Sequence, residues 1–173
     1  MMKVFLIMLL MLTLNAKVLI SPVDAMKYCY GFKSEISKKN ILLSTKQVKE
    51  IQKKAKVRVK SKIFRVFTAK KGKEIIGYGI LLNRKVRSKN GATLYMISKN
   101  SKLKGIEIIA FNEPMEYIPS NRWLSQFSGL STSKEPRVGK DISTITGATL
   151  SARAITDGAR LAFALYDTVL KEK

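Results

Sequence analysis

The sequence predicts an α+β domain in which a small antiparallel sheet of about four or more strands combines with an N-terminal and a C-terminal helix. Short apolar segments between residues 56 and 111 alternate with turn-length polar stretches, as in an antiparallel meander. An amphipathic stretch of helical period precedes them, and a longer one ends the chain. The 173 residues suffice for a leader and one domain with a substantial core.

Residues 1–25 have the parts of a secretory signal peptide: a basic start, the apolar run VFLIMLLML and small residues further on. Val23 and Ala25 suit the −3 and −1 positions, so we predict cleavage after Ala25. Ala16 is a weaker alternative because Leu14 would occupy −3. The run is shorter than the ~20 residues of a membrane-spanning helix, and an uncleaved anchor is the alternative. The expected location is the periplasm or the outer face of the inner membrane.

Composition excludes several chemistries. The chain has no histidine and a single cysteine, Cys29, which excludes a Ser-His-Asp triad, an intramolecular disulfide and an iron–sulfur cluster. Redox work would therefore need an organic cofactor. The net charge of +21 favours acidic or anionic partners. For an exported protein we expect no nucleic acid and a contact with an anionic membrane surface, with simple solubility as the alternative.

Residues 26–63 are interpreted as a basic helix and strand that form one compact domain with residues 64–173. Ser44 and Gln47 have capping-box spacing, which predicts a helix over residues 44–56. Residues 56–67 alternate between basic and mostly apolar residues, which predicts a strand with one cationic face. The alternating cations are Lys56, Arg58, Lys60 and Lys62. Such a row suits either a docking surface or protection of a sheet edge.

The next elements are strands joined by turns. KKGKE predicts a turn, and strands are expected at residues 75–82, 94–97 and 106–111. Asn90-Gly91 is a strong hairpin signal, so we expect Gly91 to supply a positive φ there.

After residue 111 the pattern becomes helical. Ser120 is a candidate N-cap for a short helix carrying Trp123 and Phe127, and a loop is expected over residues 128–141. A C-terminal helix is predicted from about residue 147 to 170. Gly158 interrupts its apolar stripe at a cost of up to ~1 kcal/mol, which indicates close packing at that position.

The tetrapeptide GATL occurs twice, in NGATL and in TGATL. The first lies in the predicted hairpin and is explained by structure. The second opens the C-terminal helix, where Thr146 is a candidate cap and Gly147 allows close backbone approach. The backbone amides of the first turn have no intrahelical partners, and together with the helix dipole they form a binding site for phosphate. Thr149 and Ser151 add hydroxyls to the same turn.

The stretch DISTITGATLSARAITDGAR resembles the flavinylation motif of the FMN-binding domain family. That domain occurs in the C subunit of the Na+-translocating NADH:quinone reductase (NqrC), in the G subunit of the Rnf complex (RnfG), in NosR regulators and in standalone exported proteins. The resemblance extends over residues 64–170. It implies that Thr149 carries FMN through a phosphoester, attached by an exported flavin transferase of the ApbE type. Many members have an acidic residue at the position of Ser143, and the nearest acid here is Asp141.

The resemblance also implies a set of cofactor-binding residues and no catalytic or metal-ligating ones. Backbone amides near the motif would hold the phosphate, and side chains upstream would contact the isoalloxazine. The phosphate set is Thr146, Gly147, Ala148, Thr149, Leu150 and Ser151. The upstream set is Glu113, Tyr117 and Trp123, followed by Phe127 and Tyr78. For Trp123 and Phe127, core packing is the ordinary alternative; for Glu113 it is fixing a turn.

The leading hypothesis is an exported carrier that passes electrons between membrane or periplasmic redox proteins. Two alternatives remain open at this stage. One is a small flavin-dependent reductase with its own substrate, and the other is a basic binding module without flavin. GYG at residues 77–79 does not match the glycine-rich fingerprint of nicotinamide-binding proteins.

Overall fold

The structure is a computed structural model that describes residues 18–171. Five strands form one antiparallel sheet in the order β1-β2-β3-β4-β5. The strands are β1 Glu35–Leu42, β2 Ile63–Lys71, β3 Glu74–Lys85, β4 Asn90–Ser98 and β5 Leu103–Phe111. The helices are α1 Pro22–Tyr30, α2 Thr45–Ala55, α3 Asn121–Leu124 and α4 Thr149–Leu165. The predicted α+β class with an antiparallel sheet is confirmed.

Both faces of the sheet are covered, because successive side chains along a strand point to opposite sides. On β4, Tyr95 and Ile97 enter the larger core with α2 and α4. Leu94 and Met96 point the other way and form a smaller cluster with α1. Helices therefore lie on both sides of the sheet, and α4 forms the largest helical part of the main core.

Two helix signals are confirmed in detail. The α2 helix has the predicted capping box, in which Ser44 Oγ accepts from the Gln47 N–H and Gln47 Oε1 accepts from the Ser44 N–H. In α4, Gly158 lies against Tyr95, whose hydroxyl donates to the Ile155 carbonyl at 2.9 Å. A Cβ at Gly158 would overlap that hydroxyl, so the glycine allows the helix to approach the sheet.

The strand predicted from residue 56 is wrong over its first seven residues. Lys56 ends α2 in the left-handed conformation with φ +54°, residues 57–62 are irregular, and β2 begins at Ile63. The basic residues of this segment therefore do not share a strand face. No pattern in the sequence indicated β1, which pairs with β2 along its full length from Glu35 to Leu42.

The Asn90-Gly91 prediction is wrong in register. The connection is formed by residues 86–89, and Asn90 already pairs with Lys85. Gly91 lies inside β4 without a positive φ. Close packing favours the glycine, since a Cβ there would lie 3.2 Å from the Ala110 carbonyl oxygen on β5.

The C-terminal helix begins two residues later than predicted. Ala148 is its N-cap and makes no side-chain capping bond, so the prediction that Thr146 caps the helix is wrong. After Leu165 the chain continues as a π-helical turn, Tyr166–Leu170, so the predicted end of the helical region is close. Ser120 does cap α3, accepting from the Trp123 N–H at 3.2 Å.

No helix within residues 18–171 has the length and hydrophobicity needed to span a bilayer. The predicted signal peptide lies mostly outside the described residues, which begin at Val18. Its last part, residues 18–25, belongs to a β-bridge and to α1.

Candidate functional site

The TGAT segment forms a tight turn that leads directly into α4. Gly147 has φ +78°, a conformation that favours glycine, and a Cβ there would meet only open space. The Ala148 N–H donates to the Ile145 carbonyl at 3.1 Å. The Thr149 hydroxyl donates to the same carbonyl at 3.3 Å. The turn therefore places a half-buried threonine hydroxyl at the first position of a long helix.

Three backbone amides precede the first helical hydrogen bond of α4. That bond runs from the Ala152 N–H to the Ala148 carbonyl at 3.1 Å. The N–H groups of Thr149, Leu150 and Ser151 come before it and carry the positive end of the helix dipole. The amide of Ala148 is used within the turn, so it does not contribute to this set. Such a helix start accommodates a phosphate group.

A pocket of about 380 Å³ opens in front of this helix start. Its size falls within the ~300–1,000 Å³ of small-molecule sites. Three parts of the chain line it: the β3–β4 connection, the segment after β5, and the start of α4. The lining residues are Val86, Arg87, Glu113, Tyr117, Gly147, Ala148, Thr149, Leu150 and Ser151. Seven of the eleven predicted cofactor-binding residues are thus brought together here.

Glu113 organises one wall of the pocket. Its buried carboxylate accepts from three successive backbone N–H groups, at 3.1 Å from Arg87, 2.5 Å from Ser88 and 2.6 Å from Lys89. The Ser88 hydroxyl also donates to it. These bonds, the Lys89 N–H foremost, lower the pKa of Glu113 below its ordinary value of 4.5. The carboxylate therefore holds the β3–β4 connection in place.

Arg87 is the residue that the sequence did not reveal. Its guanidinium donates from Nη1 to the Tyr117 hydroxyl at 3.1 Å and lies 5.5 Å from the centre of the Tyr117 ring. Glu113 fixes the backbone of Arg87, so the three side chains form one connected wall. A cation beside an aromatic face, opposite a helix start, suits a ligand with both an anionic and a planar part.

Trp123 lies outside the pocket lining. It is buried in the main core, stacks edge-to-face on Phe127 at 5.4 Å, and donates from Nε1 to the Ser143 carbonyl at 2.8 Å. The indole thus anchors the segment that leads into the TGAT turn. Thr146 is exposed in that turn and is also absent from the lining.

Tyr78, the weaker candidate, lies on β3, near the end of α4 that is far from the pocket. Its ring packs edge-to-face against Tyr166, which follows the opposite end of that helix from Thr149. Arg153 lies exposed on α4 and is not part of the pocket lining.

The fold and this pocket are those of a class of protein: α+β domains with a pocket at a helix start that suits a small phosphorylated, planar ligand. The comparison with known families is more specific. Residues 59–164 match the FMN-binding domain, which is more than half of the chain, and the protein belongs to this family.

A solved structure shares the fold. The crystal structure of Shewanella oneidensis NqrC superposes with a TM-score of 0.56 at 14% identity, covering 84% of each chain. No curated protein matches the sequence. The resemblance to the FMN-binding domain family is confirmed, with FMN as the ligand that the family indicates.

Proposed function

We propose that the protein is an exported flavoprotein that carries FMN covalently on Thr149 and passes electrons between redox partners. One observation carries the proposal: the Thr149 hydroxyl stands at the first turn of α4, on the wall of a pocket that also contains Arg87 and Tyr117. Family membership supports FMN as the ligand.

The residues that line the pocket are suited to bind FMN. Amides of Thr149, Leu150 and Ser151 would hold the phosphate, and the Arg87 guanidinium would add positive charge. Val86, Leu150 and the Tyr117 ring offer apolar surface to a planar ring system. FMN, when bound, would supply one- and two-electron redox chemistry that the side chains of this protein lack.

The attachment requires a second protein. In the proposed step, Thr149 Oγ1 attacks the phosphorus on the FMN side of FAD and the Oγ1–P bond forms. The bond from that phosphorus to the bridging oxygen of the pyrophosphate breaks, and AMP leaves with that oxygen. The hydroxyl proton passes to a base of the transferase, which we propose to be of the ApbE type. The hydrogen bond from Thr149 to Ile145 is released in this step. The space beside Gly147, two residues before the acceptor, is open, which suits access by an enzyme.

Covalent attachment suits an exported protein. Outside the cytoplasm a ligand that dissociates is diluted, whereas a tether keeps its effective concentration high. The proposed partners are membrane or periplasmic redox proteins that donate electrons to the flavin and accept them from it.

The test is the intact mass of the protein produced with an active flavin transferase. We expect wild type to gain the mass of FMN less one water. Thr149→Val keeps the side-chain shape, removes the nucleophile and gains nothing. Thr144→Val is the matched control, because it makes the same substitution at an exposed threonine outside the pocket lining and should leave the mass gain intact.

An unmodified wild type, beside a positive control substrate modified by the same transferase, would refute the covalent part. Turnover of small acceptors by the loaded protein alone would favour the reductase alternative over a carrier.

We also propose contact with an anionic membrane surface, because one observation favours it. A second pocket of about 390 Å³ on the β2–β3 side is lined by five basic residues, and its lining in the described chain includes no Asp or Glu. The basic residues are Arg58, Lys60, Arg65, Arg84 and Lys85. Binding to vesicles with anionic lipid should fall steeply in an Arg58→Glu/Lys60→Glu variant and with added salt. Equal binding to neutral vesicles would refute it.

A further inference from the structure

We propose that residues 18–30 are a permanent part of the folded domain and that any leader is removed N-terminal to Val18, not after Ala25. This segment pairs with a strand, forms a capped helix and closes one face of the sheet. Each of these roles would be lost or damaged by the cleavage that the sequence alone favours.

The first role is at the edge of the sheet. Strand β5 ends the strand order. The backbone of Leu103 at its start pairs with Gly129 and Leu130, so the part of its outer edge left to cover lies near its end. Val18 forms an antiparallel bridge with Ala110, and the Leu19 N–H donates to the Ile109 carbonyl at 2.9 Å. An open edge is a template for pairing with other chains. Residues 18 and 19 therefore protect the domain.

The second role belongs to α1 itself. Ser21 caps this nine-residue helix, its Oγ accepting from the Asp24 N–H at 3.1 Å. Cleavage after Ala25 would fall in the middle of the helix and remove the cap. The five helical residues that remain are too few to hold a helix by themselves.

The third role is burial. Ala25 and Met26 are 2% and 0% exposed, and they pack on the second face of the sheet. Cleavage would uncover the apolar residues beneath them and place a charged α-amino group on Met26, whose side chain is fully buried. The residues beneath are Phe67, Ala69, Leu94, Met96 and Ile109. Both changes oppose folding.

The sheet is shaped to receive α1. A Cβ at Gly79 would overlap the Met26 sulfur, and a Cβ at Gly77 would lie 2.6 Å from Tyr30 Cζ. The Tyr30 hydroxyl also donates to the Ile97 carbonyl at 2.8 Å. The two glycines of GYG thus open the space that this helix fills. Cleavage after Ala16 is then expected. Retention of the leader as an uncleaved anchor would also keep residues 18–30.

The first experiment compares two chains made without a leader, one beginning at Lys17 and one at Met26. We expect the shorter chain to melt about 10 °C or more below the longer one, or not to fold cooperatively, because it loses several buried side chains. Equal melting temperatures would overturn the inference.

A substitution pair tests the same contact in the longer chain. Gly79→Ala should lower the melting temperature because it displaces Met26, whereas Gly105→Ala should not, since a Cβ there meets only Met96 Cε at 3.6 Å. If Gly79→Ala leaves the melting temperature unchanged or raises it, α1 is not seated on the sheet and the inference fails.

The second experiment determines the N-terminus of the exported full chain, carrying a C-terminal tag, by intact mass. A start at or before residue 18 supports the inference, and a later start overturns it. This measurement rests on the export proposed above. Retention of the chain in the cytoplasm would refute export, while the comparison of the two leaderless chains would still decide the inference.

Discussion

Gly158→Ala gives a stability prediction in which two effects have opposite signs. In a helix, alanine is favoured over glycine by about 1 kcal/mol. Here, however, the added Cβ would overlap the Tyr95 hydroxyl and lie 2.7 Å from Cζ and 3.2 Å from Cε2. Tyr95 is fully buried and cannot swing into solvent. The ring or the helix must shift.

The steric effect is the larger of the two. Overpacking a core costs about 1–3 kcal/mol, and loss of the Tyr95 hydrogen bond to Ile155 adds about 1 kcal/mol. After the gain in helix propensity, we expect a net destabilisation of about 2 kcal/mol. For a domain of this size that lowers the melting temperature by about 4–8 °C.

The assay is thermal and urea unfolding followed by circular dichroism. Gly105→Ala is the control, since its Cβ has room and should be neutral or stabilising. In a Tyr95→Phe background the penalty of Gly158→Ala should shrink by about 1 kcal/mol, because the overlapping oxygen is gone. A Gly158→Ala protein that is more stable than wild type would refute the close approach of α4 to the sheet.

Two further predictions concern the pocket wall. The lowered pKa of Glu113 means that its contribution to stability is complete above the unfolded value of 4.5 and is lost as pH falls through the lower folded value. At neutral pH, wild type should therefore have a higher urea midpoint than Glu113→Gln, and the difference should disappear at acid pH. A difference that does not change with pH would contradict the stabilising role of the ionised Glu113 carboxylate. Arg87→Gln should weaken binding of free FMN to the unmodified protein about 10-fold, through loss of a charge-assisted contact. Fluorescence titration measures this, with Lys85→Gln as control, and equal loss in both variants would assign the effect to general charge.

Local signals predicted part of the fold well. The capping box at Ser44 and the two-residue turn at Gly72 are encoded by neighbouring residues, and the structure places both where expected. The apolar runs of β3, β4 and β5 mark strands covered on both faces.

Strand β1 has no such signal. Most of its residues are exposed, and only Ile36 and Ile41 are apolar between its ends. Backbone hydrogen bonds to β2 hold this strand in place, and a hydrophobic pattern in the sequence does not reveal such bonds. Residues 57–62 were predicted as a strand but form an irregular connection. Val57 and Val59 pack on the core from this connection, and their spacing resembles the alternation of a strand.

The site was predictable only where it is contiguous in sequence. The motif around Thr149 lies in one turn, so both physical reasoning and family resemblance reached it. Arg87 was missed because its place depends on Glu113, 26 residues away in the chain. Glu113 also binds the backbone N–H groups of residues 87–89, and the turn lies there and not at Asn90-Gly91.

The position of α4 has a consequence for biogenesis. This helix contributes eleven buried residues and follows every strand of the sheet in the chain. A polypeptide cut short before Thr149 would lack both a closed core and the acceptor hydroxyl. Under the proposed function, flavin loading would thus be confined to chains whose synthesis has passed Thr149, and the yellow colour of the cofactor would report that the chain extends into α4.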